Sequence, residues 1–321
     1  MDILCSVVVP MYNEEDVLAE TYRRLTKVMG KSGFSYEIVF VNDGSRDKTG
    51  QMLGEICDKD NRIKLLDFSR NFGHQVAITA GMDHSSGQCI AVIDGDLQDP
   101  PELIPEMIKL WKEGYDVVYG KRISRKGESF FKKLTAAVFY RFLKSMTDVD
   151  IPVDTGDFRL IDRRVRDALM HVKEKNRYVR GLISWLGFRQ TAIEFEREER
   201  FAGETKYPLK KMLKLALDGI TSFSYKPLKL ASYLGTFFSL GSFIYLIYVI
   251  AKRIFSPGTV QPGWASTLAV SLFFNGITLL FLGIIGEYVG RIYDEVKGRP
   301  LYLIKKTRNL PDNKNPLTRD D

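Results

Sequence analysis

The first 120 residues alternate two hydrophobic patterns. Short continuous apolar runs at Ile3–Val9, Tyr36–Val41, Ile63–Phe68, Cys89–Ile93 and Asp116–Tyr119 predict buried strands. Between them, apolar positions at helical spacing predict helices over Glu14–Met29, which Asn13 can cap, over Asp47–Cys57, through Ala77–His84, and from Pro101 onward. Strands alternating with helices predict an α/β fold: a mostly parallel sheet with helices on both faces. In such sheets, ligands sit beyond the carboxyl ends of the strands.

A different pattern takes over late in the chain. Leu230–Ile250 and Trp264–Gly286 carry no charged residue, and each is as long as the ~20 apolar residues that cross a bilayer core. Pro257-Gly258 and Pro262-Gly263 mark a turn between them. The expectation is a transmembrane hairpin over 229–290, with the spans at 230–250 and 264–286. Before it, Leu209, Met212, Leu213, Ala216, Ile220 and Phe223 recur at helical spacing opposite Lys210, Lys211 and Lys214. This predicts an amphipathic interfacial helix in the 206–228 region. The organisation expected is thus a catalytic-type domain over 1–205, the interfacial region, the hairpin and a tail over 291–321.

Charge adds an orientation. The 321 residues include 47 Lys plus Arg against 40 Asp plus Glu, a formal net charge of +7, which suggests an anionic partner. Lys206, Lys210, Lys211, Lys214, Lys226 and Lys229 precede the first span, and Arg291, Lys297, Arg299, Lys305, Lys306 and Arg308 follow the second. Only Lys252 and Arg253 lie between. The positive-inside rule then places both termini and the N-terminal domain in the cytoplasm. Three dispersed cysteines exclude a disulfide framework and suit a reducing compartment. The three histidines form no zinc motif, no Gly-x-Gly is present, and Gly30-Lys31-Ser32 lacks the upstream glycine of a phosphate loop. No secretory signal is read at the N-terminus.

The strand ends carry the chemistry. Pro10-Met11-Tyr12-Asn13-Glu14 follows the first strand, Asn42-Asp43-Gly44-Ser45 the second, and Asp94-Gly95-Asp96-Leu97-Gln98-Asp99 the fourth. Three acid-bearing loops are therefore expected on one edge. Asp94 and Asp96 flank one glycine, and hard oxygen ligands of this kind suit Mg²⁺ or Mn²⁺ on a diphosphate. Bland readings stand beside these. Asn13 and Glu14 could open a helix, Asp43 could begin an Asp-Gly turn, Asp157 could pair with Arg159 or Arg163, and Asp99-Pro100 could simply start a helix.

PMYNEE, VNDGSRDKT, DGDLQDPPE and the later GKR together resemble family-2 glycosyltransferases of the GT-A fold. Within that family the chain is similar to polyprenyl-phosphate glycosyltransferases, relatives of dolichyl-phosphate mannose synthase. The two late spans make it most similar to the bacterial bactoprenol glucosyltransferases of O-antigen modification. The resemblance implies that Pro10, Tyr12, Asn13 and Glu14 form the first nucleotide-binding loop and that Asp43 reads the base. It implies Asp94 near the ribose and diphosphate, with Asp96 and Gln98, and Asp94 beside them, as metal ligands. The resemblance further implies that Arg122 is the arginine that meets phosphate, and Asp157 the acid near the reacting centre, as either a base or an orienting group. Arg200, Gly203, Thr205 and Lys206 fill a loop over the diphosphate or acceptor phosphate, while Lys132 and Lys133 replace a second phosphate-binding arginine.

The implied activity is inverting, metal-dependent transfer of a hexose, most similarly glucose from UDP-glucose, to undecaprenyl phosphate in the bacterial inner membrane. The expected partners are a nucleotide sugar, a lipid phosphate and the membrane, and no nucleic acid. GDP-mannose or a UDP-aminosugar is the alternative donor, and a non-catalytic protein that binds or translocates lipid-linked sugar is the alternative class. A processive synthase is disfavoured because no Arg-Trp pair occurs. Gly286 and Gly290 offer a small-residue face for a homo-oligomer.

Overall fold

In the computed structural model, the described residues are 3–123, 152, 155–175, 177–196, 226–255 and 263–310. Those up to 196 and from 299 onward form one compact unit, and those of 226–298 a second.

The first unit is built on an eight-stranded sheet. Its strands are β1 (Cys5–Met11), β2 (Tyr36–Asn42), β3 (Ile63–Phe68), β4 (Cys89–Val92), β5 (Val117–Arg122), β6 (Thr155–Asp162), β7 (Gln190–Phe195) and β8 (Ile304–Arg308). The order across the sheet is β7-β5-β6-β4-β1-β2-β3-β8. The β4-β1-β2-β3 ladders and the β5-β7 ladder are parallel, as the alternating pattern predicts. Strand β6 runs antiparallel between β4 and β5, and β8 runs antiparallel on β3. The sheet is therefore mixed.

Strand β1 ends two residues later than the apolar run suggests, and Pro10 lies inside it opposite Val41. A central strand normally rejects proline because an N–H is lost from the ladder. Pro10 shares the parity of Val8, whose carbonyl accepts from Ile93 on the β4 side. Its missing N–H would also have faced β4, which ends at Val92.

Four helices follow the predicted order, α1 (Glu15–Lys31), α2 (Thr49–Lys59), α3 (His74–Asp83) and α4 (Ile104–Lys112), and two that the sequence pattern did not announce come after them, α5 (Arg163–His171) and α6 (Val179–Trp185). A single turn of 3-10 helix at Pro101–Leu103 precedes α4. Helix α3 lies so close to the sheet that a Cβ on Gly81 would come within 2.2 Å of Val8 Cγ1. The core holds Val7, Val9, Phe40, Ile63, Ala91, Met107, Phe158 and Leu160, all fully buried.

The tail expected over 291–321 is not a separate element. Ile304–Arg308 is an edge strand of the sheet, and residues from Arg299 belong to the first unit. Ser69 donates to the Leu303 carbonyl. The Tyr302 ring stacks on Phe68 at 5.3 Å, and its hydroxyl donates to Asp83 at the far end of α3 (3.1 Å). The Asn309 side-chain amide donates to the carbonyls of Cys57 and Ile63.

The second unit contains α7 (Lys226–Phe255) and α8 (Trp264–Val296), which enclose the expected spans 230–250 and 264–286. Phe238 of α7 and Phe274 of α8 meet edge to face at 5.4 Å. Phe237, Phe243, Tyr245, Leu279 and Leu282 are exposed. Hydroxyls of Ser232, Thr236, Thr267 and Thr278 bond back to carbonyls one turn earlier, so these polar groups need no solvent. Among the described residues, Phe273–Val296 is long and apolar enough to cross a membrane, with mean hydropathy 1.5 and none of it buried. The amphipathic segment Pro208–Tyr225 lies outside the described residues.

Candidate active site

Three loops at the carboxyl edge of the parallel strands are tied to one another. The amides of Asn13, Glu14 and Glu15 donate to side chains of Ser45, Thr49 and Asp47. In return, the Arg46 amide donates to Asn13 Oδ1 (2.8 Å) and the Lys48 amide to Glu15 Oε2 (2.9 Å). Each loop thus satisfies the helix N-terminus of the other. Asn13 does not cap its own helix as expected. Glu14 holds that position without a side-chain cap hydrogen bond, and Asn13, at φ +52°, turns instead to the second loop. Tyr12 is 36% exposed at the tip.

Asp43 ties in the third loop. Its carboxylate accepts the amides of Phe72 (2.7 Å) and Gly73 (3.0 Å) and is almost fully buried. Burial raises its pKa, and the two amides pull it partly back. Gly44, at φ +64°, leaves no room for a side chain: a Cβ would stand 2.4 Å from the Arg70 carbonyl carbon.

The Asp94–Gln98 turn is held as tightly. A Cβ on Gly95 would come within 2.3 Å of Met11 Sδ, so a side chain there would displace the buried Met11 thioether. The Gly95 carbonyl accepts the Thr21 hydroxyl (3.0 Å). Leu97 is buried in a left-handed conformation, φ +58°, and Asp96 Oδ1 accepts the Gln98 amide (3.2 Å). A buried branched side chain at positive φ is strained backbone of the kind found at functional turns. Asp99 does more than start a helix: it is buried and lies 3.4 Å from Arg122 Nη2 at the end of β5.

Asp157 enters from β6 and meets this edge. Gln75 Nε2 donates to its Oδ2 (2.8 Å), Arg180 Nε lies 3.3 Å from Oδ1, and His74 Nε2 lies 3.3 Å from Oδ2. The same His74 nitrogen is 3.3 Å from Asp94 Oδ1. Arg159, also on β6, is 5% exposed and donates to the Gly156 carbonyl. Arg180 donates to the Thr155 carbonyl. Burial alone would raise the Asp157 pKa, but Arg180, His74 and Arg159 outweigh it and hold the carboxyl well below its usual range. Burial likewise opposes a charged His74, and Asp94 and Asp157 together outweigh it, so its pKa stands well above the usual value. Burial lowers the Arg159 pKa to about 10.

The expected residues Asp94, Asp96, Gln98, Arg122 and Asp157 thus fall on one edge with the Pro10–Glu14 and Asp43 loops. The ion partner of Asp157 is Arg180, with Arg159 beside it. Arg163 instead donates to the Ser86 carbonyl. Lys132, Lys133, Arg200, Gly203, Thr205 and Lys206 lie outside the described residues. His74, Gln75, Arg159 and Arg180 were not singled out as site residues by the sequence reading. A histidine followed by glutamine at a helix start carries no motif, and their carboxylate partners come from distant strands.

Asp94 Oδ1 is buried and accepts no hydrogen bond. Among the described residues no three histidine, cysteine or carboxylate groups form a complete cage. The donor set of Asp94, Asp96 and Gln98 still fits a hard cation that keeps waters and takes its remaining ligands from substrate phosphates.

Residues 6–170 match the family described as glycosyl transferase family 2, and residues 226–292 match the GtrB C-terminal hairpin. The chain belongs to glycosyl transferase family 2. Its GT-A-type α/β sheet with a C-terminal helical hairpin agrees with the sequence expectation, and the hairpin and the apolar helix associate the protein with a membrane. An uncharacterized glycosyltransferase of Bacillus subtilis (strain 168), YkcC, is 60% identical over 309 residues, covering 96% of this chain and 95% of the relative. The uncharacterized glycosyltransferase sll0501 of Synechocystis is 48% identical over 304 residues, covering 95% of each. The SfII prophage-derived bactoprenol glucosyl transferase of Shigella flexneri is 40% identical over 302 residues, covering 94% of this chain and 97% of that one.

Proposed function

We propose that this family 2 protein transfers glucose from UDP-glucose to the phosphate of undecaprenyl phosphate, inverting the anomeric carbon and releasing UDP. One observation carries the reading. Asp94, just after β4, and Asp157, on β6, converge on His74 at the carboxyl edge beside Arg180 and Arg159, in a chain with a GtrB hairpin. The relative named a bactoprenol glucosyl transferase supports the lipid acceptor and the sugar.

The chemistry follows from charge. The second pKa of a phosphate monoester is about 6, so the acceptor is already a nucleophile near neutral pH. It needs no strong base, and Asp157, held as an anion by its cationic neighbours, is a poor one. Asp157 therefore orients the acceptor or steadies positive charge on the sugar. The larger task is to hold two anionic substrates together. Arg122, with Lys132, Arg200 and Lys206, serves their phosphates. Pro10, Tyr12, Asn13 and Glu14 supply the nucleotide loop, and Asp43 acts on that side by holding the neighbouring Phe72–Gly73 backbone. Asp94, Asp96 and Gln98 would hold Mg²⁺ or Mn²⁺, which when bound neutralises charge on the departing diphosphate. Rate then comes chiefly from positioning and electrostatic stabilisation. The lysines and arginines flanking the hairpin support an inner-membrane protein with both termini and the catalytic unit cytoplasmic, and Gly286 and Gly290 support an oligomer contact between hairpins.

The test is transfer of radiolabel into an organic-extractable lipid. Purified protein is given undecaprenyl phosphate, Mg²⁺ or Mn²⁺, and separately UDP-glucose, a UDP-aminosugar or GDP-mannose. Label from UDP-glucose that disappears with EDTA or with Asp96→Asn is the expected result. Label from another donor alone corrects the sugar. No label from any donor, despite nucleotide binding, overturns the transferase reading in favour of a binding or translocating protein.

A further inference from the structure

We infer that His74 is a positioning residue that couples the donor-side acid Asp94 to the acceptor-side acid Asp157, with Gln75 as its partner in the clamp. The inference rests on the proposed function for the meaning of the two sides, but its geometry stands alone. Asp94 stands in the turn after β4 and Asp157 on β6, and two carboxylates brought to one histidine nitrogen repel each other. A single nitrogen, His74 Nε2, sits 3.3 Å from Asp94 Oδ1 and 3.3 Å from Asp157 Oδ2. Asp94 Oδ1 is buried and accepts no hydrogen bond, and the His74 imidazole faces it at ion-pair distance. The next residue reaches the same target: Gln75 Nε2 donates to Asp157 Oδ2 (2.8 Å), while Gln75 Oε1 accepts the Val179 amide (3.0 Å). The first two residues of α3 therefore grip Asp157 and tie it both to Asp94 and to the start of α6, where Arg180 makes its own ion pair with Asp157.

The placement of α3 makes this grip stiff. Gly73, at φ +104°, turns the chain into the helix, and Asp43 holds the Phe72 and Gly73 amides. Gly81 seats the helix against Val8 and Val41. The helix is thus held at its start by Asp43 and near its end by the Gly81 contact and the Tyr302–Asp83 hydrogen bond, and His74 arrives at the two acids from a braced support. A positioning group on such a support acts by narrowing the orientations of the groups it touches, and small misplacements at a reacting centre cost large factors in rate.

The experiment compares the full chain with His74→Ala and His74→Gln, the latter chosen because its amide reaches about as far as Nε2 and carries two hydrogens. Two readouts are used: steady-state transfer to undecaprenyl phosphate, and thermal unfolding of the singles and of His74→Ala with Asp157→Asn. The expected result for His74→Ala is a fall in kcat of at least tenfold, with the KM for each substrate within threefold of the parent. His74→Gln should recover at least a third of the loss on a logarithmic scale. The two Tm shifts should be non-additive in the double variant. A kcat within twofold of the parent in His74→Ala overturns the inference. So does a His74→Gln no better than His74→Ala at equal Tm, because that pattern marks a packing role. If the parent itself transfers no sugar from any donor, the proposed function has failed, and the stability cycle alone decides the clamp: additive Tm shifts overturn it.

Discussion

Neutralising Asp157 should cost the fold as well as the site. In the Asp157→Asn variant the side chain keeps its shape and a carbonyl oxygen for Gln75, but the charge that faces Arg180, His74 and Arg159 is gone. Arg159 is the most exposed to this loss in energetic terms, since it is buried and its one hydrogen bond to the Gly156 carbonyl does not offset its charge. Removing one partner of a buried ion pair costs about 3–5 kcal/mol. Arg180 is a fifth exposed and retains the Thr155 carbonyl, so the lower end, about 3 kcal/mol, applies. At roughly 2–4 °C per kcal/mol for a unit of this size, Tm should fall by about 6–12 °C. The pH dependence has a definite sign. The folded-state pKa of Asp157 is depressed, so its contribution is fully present above the ordinary value of 3.8 and is lost as pH falls through the lower folded value. The Tm gap between parent and variant should therefore be constant from about pH 6 to pH 5 and narrow below pH 4, and it should also narrow on the alkaline side as His74, whose pKa Asp157 helps to raise, loses its proton. Thermal unfolding in detergent, followed by circular dichroism, measures it. A gap under about 2 °C at pH 7, or one that widens as pH falls from 5 to 3, would refute the electrostatic account.

Four further outcomes are expected. Gly81→Ala should lower Tm, because its Cβ would overlap Val8 Cγ1 at 2.2 Å and overpacking costs about 1–3 kcal/mol. Gly54→Ala in α2 meets nothing within 4 Å and should raise Tm through helix propensity, worth up to about 1 kcal/mol; calorimetry that finds the same sign for both would contradict the packing. Tyr302→Phe removes the donor to Asp83 and should cost about 1.5–3 kcal/mol, the worth of a hydrogen bond to a charged group, seen as a shift in denaturant midpoint at unchanged slope. The three cysteines are buried, and burial pushes the Cys57 thiol up to about 12. A thiol reagent at pH 8 should therefore label native protein slowly and unfolded protein at once.

The parallel half of the sheet was legible because buried parallel strands are written as unbroken apolar runs. The C-terminal end of β1 fell two residues beyond the expected boundary because of Pro10, which the sequence shows as a strand breaker and the sheet accommodates because β4 has already ended. The antiparallel half was not legible for a different reason. Strand β6 carries Asp157 and Arg159 at buried positions, so by hydrophobic pattern Thr155–Asp162 does not read as a central strand. Only the neighbouring charges that satisfy them make burial tolerable, and those are visible in three dimensions alone. Strand β8 was hidden by its position, since five residues of mixed polarity beyond an apolar hairpin read as a tail. Of the site, the turn residues Gly44, Gly95 and the acids beside them could be read from their spacing. The clamp at His74 could not, because a histidine at a helix start looks the same whether or not two acids converge on it.

Strand β8 also changes what the hairpin is in genetic terms. Because Arg299 onward returns to the sheet, the hairpin is an insertion in the first unit's chain, not an appendage at its end. A stop codon anywhere in α7 or α8 would leave Asp94, His74, Asp157 and Arg180 all encoded. It would still strip β3 of its outer partner β8 and bare the backbone from Leu65 to Phe68 as an open edge, the kind of surface on which sheets aggregate. Loss of the hairpin by truncation should therefore abolish soluble protein as well as membrane attachment. A water-soluble version has to be made by excision, with a flexible bridge that carries the chain to Arg299 and lets Tyr302 reach Phe68 again.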